Sequence, residues 1–467
     1  MTDSPPAERG ARTVLEGARA AAGRGPVVWG TAVAAYAVAV LHRSSLGVAG
    51  AEAAARFDVG ATVLSTFVVV QLAVYAGMQI PVGVLLDRFG SRALIASGAA
   101  LMAAGQVLLG TTHGLGTAIA ARVLIGAGDA ATWISVIRLV ALWFPPRRVP
   151  LFTQLTGMAG HLGQLAAAVP LVAVLEARGW ASTFVGLGAV GALAAVLVWG
   201  VVRDAPLGAR PAGPHGVRAT LGEALRTPGT WLGFFSHALG QFPPTVFLLL
   251  WGFPFLRAQG LSATGAAGLM SLAVVAGVTV GPVVGVLTGR HPLRRSWMVL
   301  VVGVAVALAW AAVLVHPGRS PLWLLGVLVV VMGAAAPTAA IGFDFARTFN
   351  PTSRLGTASG VVNVGGFSTA VVTVLAVGVV LDVVGDGAWA LEAFRAAFAV
   401  QAVPWLACFV GVLVARRRTR RAMAADGVVV PPFRQVLARL VARRRARRRA
   451  EAAARGLRRP WGGRARR

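Results

Sequence analysis

Apolar residues fill long runs along the chain, interrupted at intervals by short polar segments rich in arginine, glycine and proline. A hydrocarbon layer about 30 Å thick needs about 20 apolar residues in helical form, because a helix satisfies its own backbone hydrogen bonds where water is absent. Twelve runs meet that requirement: 27–48, 61–83, 93–112, 116–140, 151–175, 182–203, 231–256, 264–288, 296–316, 321–345, 355–382 and 392–415. The pattern predicts an all-α integral membrane protein of twelve transmembrane helices.

The polar segments orient these spans. With residues 1–26 on the cytoplasmic side, thirteen arginines fall in cytoplasmic loops: Arg88, Arg92, Arg147, Arg148, Arg203, Arg210, Arg218, Arg226, Arg290, Arg294, Arg295, Arg347 and Arg354. Five face outward, namely Arg56, Arg178, Arg257, Arg319 and Arg395. Positive charge is retained inside, so both termini are expected in the cytoplasm of a cell whose plasma membrane holds the chain. The segment 204–230 divides the spans into six (27–203) and six (231–415). A weak repeat links the two sets, for Gly83 to Arg92 returns as Gly285 to Arg294, and Phe144, Pro146 and Gly160 return as Phe349, Pro351 and Gly365. Parallel repeats of this kind build transporters with a site near the membrane midplane, between the repeats.

Charge refines this reading in two places. The 44 basic residues exceed the 16 acidic ones by 28, and all of the basic residues are arginine. Nineteen lie in 416–467, against Asp426 and Glu451, where the stretch Val436 to Arg449 alternates arginine clusters with apolar residues. Such a tail is expected to be disordered or to meet anionic lipid on the cytoplasmic leaflet, at about 1 kcal/mol per arginine near the surface. Only Phe433 and Trp461 could stack on bases, so nucleic acid is not an expected partner. The start MTDSPPAERG lacks a signal-peptide pattern, and insertion is expected to depend on the internal spans. One cysteine, Cys408, leaves no disulfide framework or cysteine metal site, and no cofactor is expected. No nucleophile–base pair or phosphate loop is evident, which argues against an enzyme. A monomer is expected.

The second place is inside the spans, where a charge costs at least about 2.5 to 3.5 kcal/mol and should face a watery cavity or a partner. Arg43, Arg122 and Asp129 are the deeply placed charges. Arg122 and Asp129, seven residues apart, share a helix face to within about 20° and sit about 10.5 Å apart along the axis, able to look into one cavity without pairing directly. Guanidinium binds carboxylate bidentately and stays charged, which favours Arg43 as the anion-binding group, with pairing to Asp129 as the alternative. Softer polar positions form helical stripes: Gln154, Gly157, His161 and Gln164; His237, Gln241 and Thr245 around Pro243 and Pro244; Ser359, Asn363 and Gly366. Such residues line cavities and also serve close helix packing in membranes, and either role fits here.

Gly83-Val-Leu-Leu-Asp-Arg-Phe-Gly-Ser-Arg92 resembles the loop signature of the major facilitator superfamily, G-x-L-x-D-R-x-G-x-R, at every named position. The resemblance implies two six-helix bundles that rock about a central site. Asp87 would accept hydrogen bonds from the N-terminus of span eleven, Arg88 and Arg92 would bind carbonyls or lipid phosphates, and Arg138 would join Asp87 at the inner gate. In the second copy Gly289 replaces the acid and Pro292 the glycine, so a weaker latch is expected there. Asp344, in register with Arg138, is a further gating candidate, or an acid neutralised by Arg347. A narrower resemblance joins His42-Arg43-Ser-Ser-Leu-Gly-Val-Ala and Arg122-Val-Leu-Ile-Gly-Ala-Gly-Asp129 to the organic-anion branch, the anion:cation symporters. The departure is His42, which stands where that branch has an acid.

These readings assign Arg43, Arg122, His161, Gln164, His237, Gln241 and Asn363 to a small, anionic substrate. They assign Asp129 and His42 to proton coupling, and Asp87, Arg88, Arg92, Arg138 and Asp344 to gating. The expected function is proton-coupled alternating-access transport. The alternatives are a proton-coupled exporter and a non-transporting membrane sensor or scaffold.

Overall fold

The computed structural model describes residues 6–59, 61–206, 217–384, 390–430, 435 and 442, and all regular structure among them is helical. Helix α1 (Pro6–Val48) is followed by a short α2 (Gly50–Phe57), a long α3 (Ala61–Thr111), α4 (Leu115–Trp143), α5 (Val149–Ala166) and α6 (Val172–Val201). After the described part of the central segment come α7 (Val217–Arg226), α8 (Pro228–Val246), α9 (Gly252–Ala258), α10 (Ala263–Arg290) and α11 (Arg295–Val315). The last five are α12 (Leu322–Ala339), α13 (Ile341–Phe349), α14 (Leu355–Val384), α15 (Leu391–Ala399) and α16 (Ala402–Ala425). Ten stretches among the described residues are long and apolar enough to cross a membrane.

One of those ten, Val69–Thr111, is 43 residues long. It is not one rod: Gly90 takes φ 82° and ψ 171°, a conformation that only glycine adopts freely. Gly126 packs on Gln71 while Gly128 packs on Gly98 and Met102, so both legs of α3 lie against the same part of α4. A straight helix would hold residues 71 and 102 about 46 Å apart. The chain therefore folds back at Gly90. Gly179, with φ 73° and ψ 179°, breaks α6 in the same way.

Single π-helical turns interrupt two paths, at Ala167–Leu171 between α5 and α6 and at Phe247–Trp251 between α8 and α9. Pro170 lies inside the first, and Pro243 and Pro244 precede the second, where missing N–H donors displace the regular ladder. Two short helices lie outside the predicted spans. Arg56 of α2 donates to the carbonyls of Thr112 (2.9 Å) and Gly110 (3.3 Å), capping the end of α3. In the central segment, α7 buries Ala224 against the core that holds Leu86 and Phe343, and its Glu223 pairs with Arg354. That segment is thus more than a linker, because α7 has an apolar face to bury.

The chain divides into two compact units, Met1–Arg416 and Arg417–Arg467. All helices from α1 to α15 belong to the first. The predicted surface element 436–449 lies outside the described residues except for 442.

Candidate functional site

A cavity of about 480 Å³ lies inside the first unit, bounded by α1, α3, α4, α5, α8, α10, α12, α13 and α14. Six of the seven predicted substrate residues line it: Arg43, His161, Gln164, His237, Gln241 and Asn363. The polar stripes therefore face a shared space as well as packing helices. His237 Nδ1 lies 3.0 Å from the Ala339 carbonyl, and Gln241 donates to the Thr245 hydroxyl at 3.0 Å. Asn363 donates to Gln79 (2.7 Å) and Tyr75 (3.2 Å), joining α14 to α3, and Gln154 donates to the Pro337 carbonyl (2.7 Å), joining α5 to α12.

Arg43 carries the site's charge. Its side chain is 28% exposed, and its Nη1 pairs with Asp129 Oδ2 at 3.2 Å. Asp129 is 1% exposed and stands behind Arg43, away from the cavity wall. Its second oxygen, Oδ1, is buried without a hydrogen-bond partner. Arg122, also 1% exposed, does not line the cavity. One of its nitrogens bonds the Gln71 side chain and, at 3.4 Å, the Arg43 carbonyl, while its Nε and Nη1 have no partner. The expectation that Arg122 and Asp129 look into the cavity is corrected. The close packing of α4 on α3 at Gly126 and Gly128 buries both behind Arg43. His42 is likewise absent from the cavity wall: it is fully buried, and its ring lies against Gly191 of α6, because adjacent helical residues point about 100° apart.

Reasoning from sequence missed several lining groups. Tyr36 and Tyr75 line the cavity, and they are the chain's two tyrosines. Gln71, Tyr75 and Gln79 recur at spacing four on α3, a polar stripe that could have been read beside the other three. Trp133 and Phe343 meet edge to face at 5.8 Å, from α4 and α13, and Phe343 also bounds a small void towards Asp344 and Leu355. Together they floor the cavity.

Below that floor the helix ends are tightly closed. Asp87 accepts hydrogen bonds from the backbone N–H groups of Gly356 and Thr357 and from the Thr357 hydroxyl, each at 2.7 Å. The positive end of the α14 dipole thus meets a carboxylate. Arg138 Nη1 pairs with Asp87 at 3.1 Å and donates to the Leu86 carbonyl. A Cβ on Gly83 would lie 2.6 Å from the Gly356 carbonyl oxygen, so α3 and α14 touch backbone to backbone. At the counterpart seam, a Cβ on Gly285 would lie 2.8 Å from Leu151 Cα, and one on Gly289 would overlap the Arg147 carbonyl oxygen. There α10 meets the start of α5 with no room for an acid.

The remaining gating candidates sit apart from this latch. Asp344 pairs with Arg347 at 3.1 Å on its own helix, and its carbonyl accepts Arg295 Nη1 at 2.9 Å. Its charge is therefore answered by Arg347 three residues on rather than by Arg138, since Arg138 is already held by Asp87. Arg92 donates its backbone N–H to Asp204 at 2.9 Å, and Arg88 lies over the Phe89 ring.

Comparison with known proteins agrees with this architecture. The fold is similar to that of the Escherichia coli fucose:proton symporter, with a TM-score of 0.63 over 85% of this chain and 99% of that one, at 14% identity. In sequence, the chain is 30% identical over 158 residues to an uncharacterized transporter, YybO, of Bacillus subtilis, spanning 34% of this chain and 36% of that one. It is 27% identical over 226 residues to the oxalate:formate antiporter of Oxalobacter formigenes, spanning 46% of this chain and 50% of the relative. A probable L-galactonate transporter of Escherichia coli matches at 26% over 156 residues, spanning 33% and 34%. The chain thus matches half or less of the length of each of these relatives. Residues 32–372 match the profile of the Major Facilitator Superfamily, most of the chain. The protein belongs to the Major Facilitator Superfamily and is a multi-pass membrane protein.

Proposed function

We propose that the protein carries a small organic anion across the membrane by proton-coupled alternating access. The observation that carries this reading is the Arg43–Asp129 pair, a guanidinium that reaches the cavity and is neutralised from behind by a carboxylate. An incoming carboxylate competes with Asp129 for Arg43. Asp129, displaced in a buried setting, is released at least cost by taking a proton, since an unpaired buried charge is expensive. The pair thus makes anion binding and protonation favour one another. The names of two relatives, an oxalate:formate antiporter and a probable L-galactonate transporter, support an anionic substrate.

In this reading the chain crosses twelve times, with α3 counted as two crossings about Gly90 and the α5 path running on to Gly179. Two six-helix bundles, 27–203 and 231–415, enclose the cavity. The arginine-rich loops and both termini face the cytoplasm, so the end closed by Asp87 is the inner gate.

The test uses purified protein in liposomes with a panel of radiolabelled monocarboxylates and dicarboxylates. Wild-type protein accumulates a substrate under an imposed pH gradient. Asp129→Asn loses that accumulation while retaining counterflow exchange. An Asp129→Asn protein that still accumulates substrate down the proton gradient removes Asp129 from the mechanism. Flux seen only as exchange between internal and external anion, with no response to pH in wild type, would establish antiport instead.

A further inference from the structure

Among the described residues that line the cavity, Arg43 is the one arginine, and no carboxylate stands beside it on the wall. The next cations stay behind that wall: Arg122 is buried, and Arg138 is held by Asp87. The helices that follow the central segment bring His237, Gln241, Ser271 and Asn363 to the cavity, and no arginine. A substrate with two carboxylates would therefore set its second charge against neutral groups. A charge taken from water without a partner is expensive, so this wall is matched to a single anionic group.

Rings make up much of the rest. Tyr36 precedes Arg43 by seven residues on α1, which puts both on one face to within about 20°. Its ring meets Trp133 at 5.2 Å, Trp133 meets Phe343 at 5.8 Å, and Phe343 meets His237 at 4.9 Å. Tyr75 of α3 meets Phe367 of α14 at 4.7 Å, with the ring planes 58° apart. All six rings line the cavity. The amides of Gln154, Gln241 and Asn363, by contrast, already donate to the Pro337 carbonyl, to Thr245, and to Gln79 and Tyr75. A polyhydroxylated body would have to compete with those bonds. A planar ring finds aromatic edges and faces set for tilted packing.

We propose that the substrate is an aromatic monocarboxylate, with its carboxylate on Arg43 and its ring against the Tyr75–Phe367 and Trp133–Phe343 pairs. This rests on the reading of Arg43 as the anion's partner and narrows it to one charge and one kind of body. Each of the two pairs joins a residue before the central segment to one after it. A ring seated on them is gripped from both parts of the chain while its single charge reaches Arg43.

Isothermal titration calorimetry of the full chain in mild detergent at neutral pH compares benzoate, cyclohexanecarboxylate, terephthalate, oxalate and gluconate. Benzoate is expected to bind at least about threefold more tightly than cyclohexanecarboxylate, which has the same charge and ring size. It is expected to bind at least about tenfold more tightly than terephthalate, which carries a second carboxylate on the same ring, and than oxalate or gluconate. Phe367→Leu is expected to bring benzoate and cyclohexanecarboxylate within about twofold of each other while terephthalate stays weak. Arg43→Gln, folded by circular dichroism, is expected to lose benzoate binding, which separates the site from partition into the micelle. If that variant does not fold, the response to Phe367→Leu makes the same separation, since a micelle does not sense it. Terephthalate or oxalate binding as tightly as benzoate overturns the proposal and leaves the anion reading standing. Gluconate binding more tightly than benzoate, or cyclohexanecarboxylate binding equally well, does the same. Binding by none of these compounds overturns both.

Discussion

Asp87 answers four donors at once: two backbone N–H groups, one hydroxyl and one guanidinium. Hydrogen bonds to a charged acceptor are worth about 1.5 to 3 kcal/mol each, and they do not add fully when they share one carboxylate. Asp87→Ala should therefore weaken the closed end by about 2 kcal/mol, roughly a thirtyfold shift in its population. A cysteine placed at Thr153, a buried lining residue above that end, checks this. Its labelling by an impermeant thiol reagent from the cytoplasmic side should rise, and unchanged labelling would show that Asp87 does not hold the gate. The native Cys408, 5% exposed, should add little background. Arg43 belongs to the same scale. Arg43→Lys keeps the charge and loses the planar fork, so the affinity for a carboxylate substrate should fall at least about tenfold in equilibrium binding.

Elements show where chain breaks have structural reasons. Gly90 and Gly179 have nearly the same backbone conformation, φ 82° and 73° with ψ 171° and 179°. A Cβ at Gly179 meets open space, whereas one at Gly90 would lie 2.5 Å from the Asp204 carboxyl carbon. Both alanine substitutions carry the backbone penalty of about 1 to 3 kcal/mol, and Gly90→Ala adds a clash. Thermal unfolding should show the larger loss of Tm for Gly90→Ala, and equal losses would deny Asp204 a role in holding the turn. The contrast also shows what the sequence could reveal. Hydrophobic runs announce crossings because apolar length is a local property. The turn at Gly90 was legible through a loop signature, as was the destination of Asp87 at α14. Which face of α4 turns toward the cavity was not legible, because the close approach of α3 at Gly126 and Gly128 decides it, and that contact is made between distant segments. Arg122 and Asp129 therefore lie behind the cavity wall, although their spacing alone allows them to face the cavity. The polar stripe on α3 was available in spacing alone.

For the whole molecule, the cavity and the two seams beneath it lie in the unit that ends at Arg416. Arg416 itself belongs to that unit's packing, for it donates to the Ser296 hydroxyl at 3.0 Å and stacks on Trp297. Removing residues 426–467 should leave reconstituted transport within about twofold of the full chain, a change smaller than about 1 kcal/mol. A transport-dead truncation that still folds would assign the basic tail a direct part in the cycle.

The seams beneath the cavity also differ in the reach of the forces that hold them. Glycine-to-backbone packing of α10 on α5 is a contact force, and a separation of about 0.5–1 Å already forfeits roughly a quarter to a half of such attraction. The carboxylate of Asp87 facing the α14 dipole acts over a longer distance. As the closed end loosens, the α5/α10 side should part first while the α3/α14 side still pulls, so the bundle ends swing apart about a tethered edge. Spin labels across each seam would record that order as an earlier broadening of the α5/α10 distance distribution. The tether would then also guide the return stroke, bringing the ends back into register before the short-range contacts re-form.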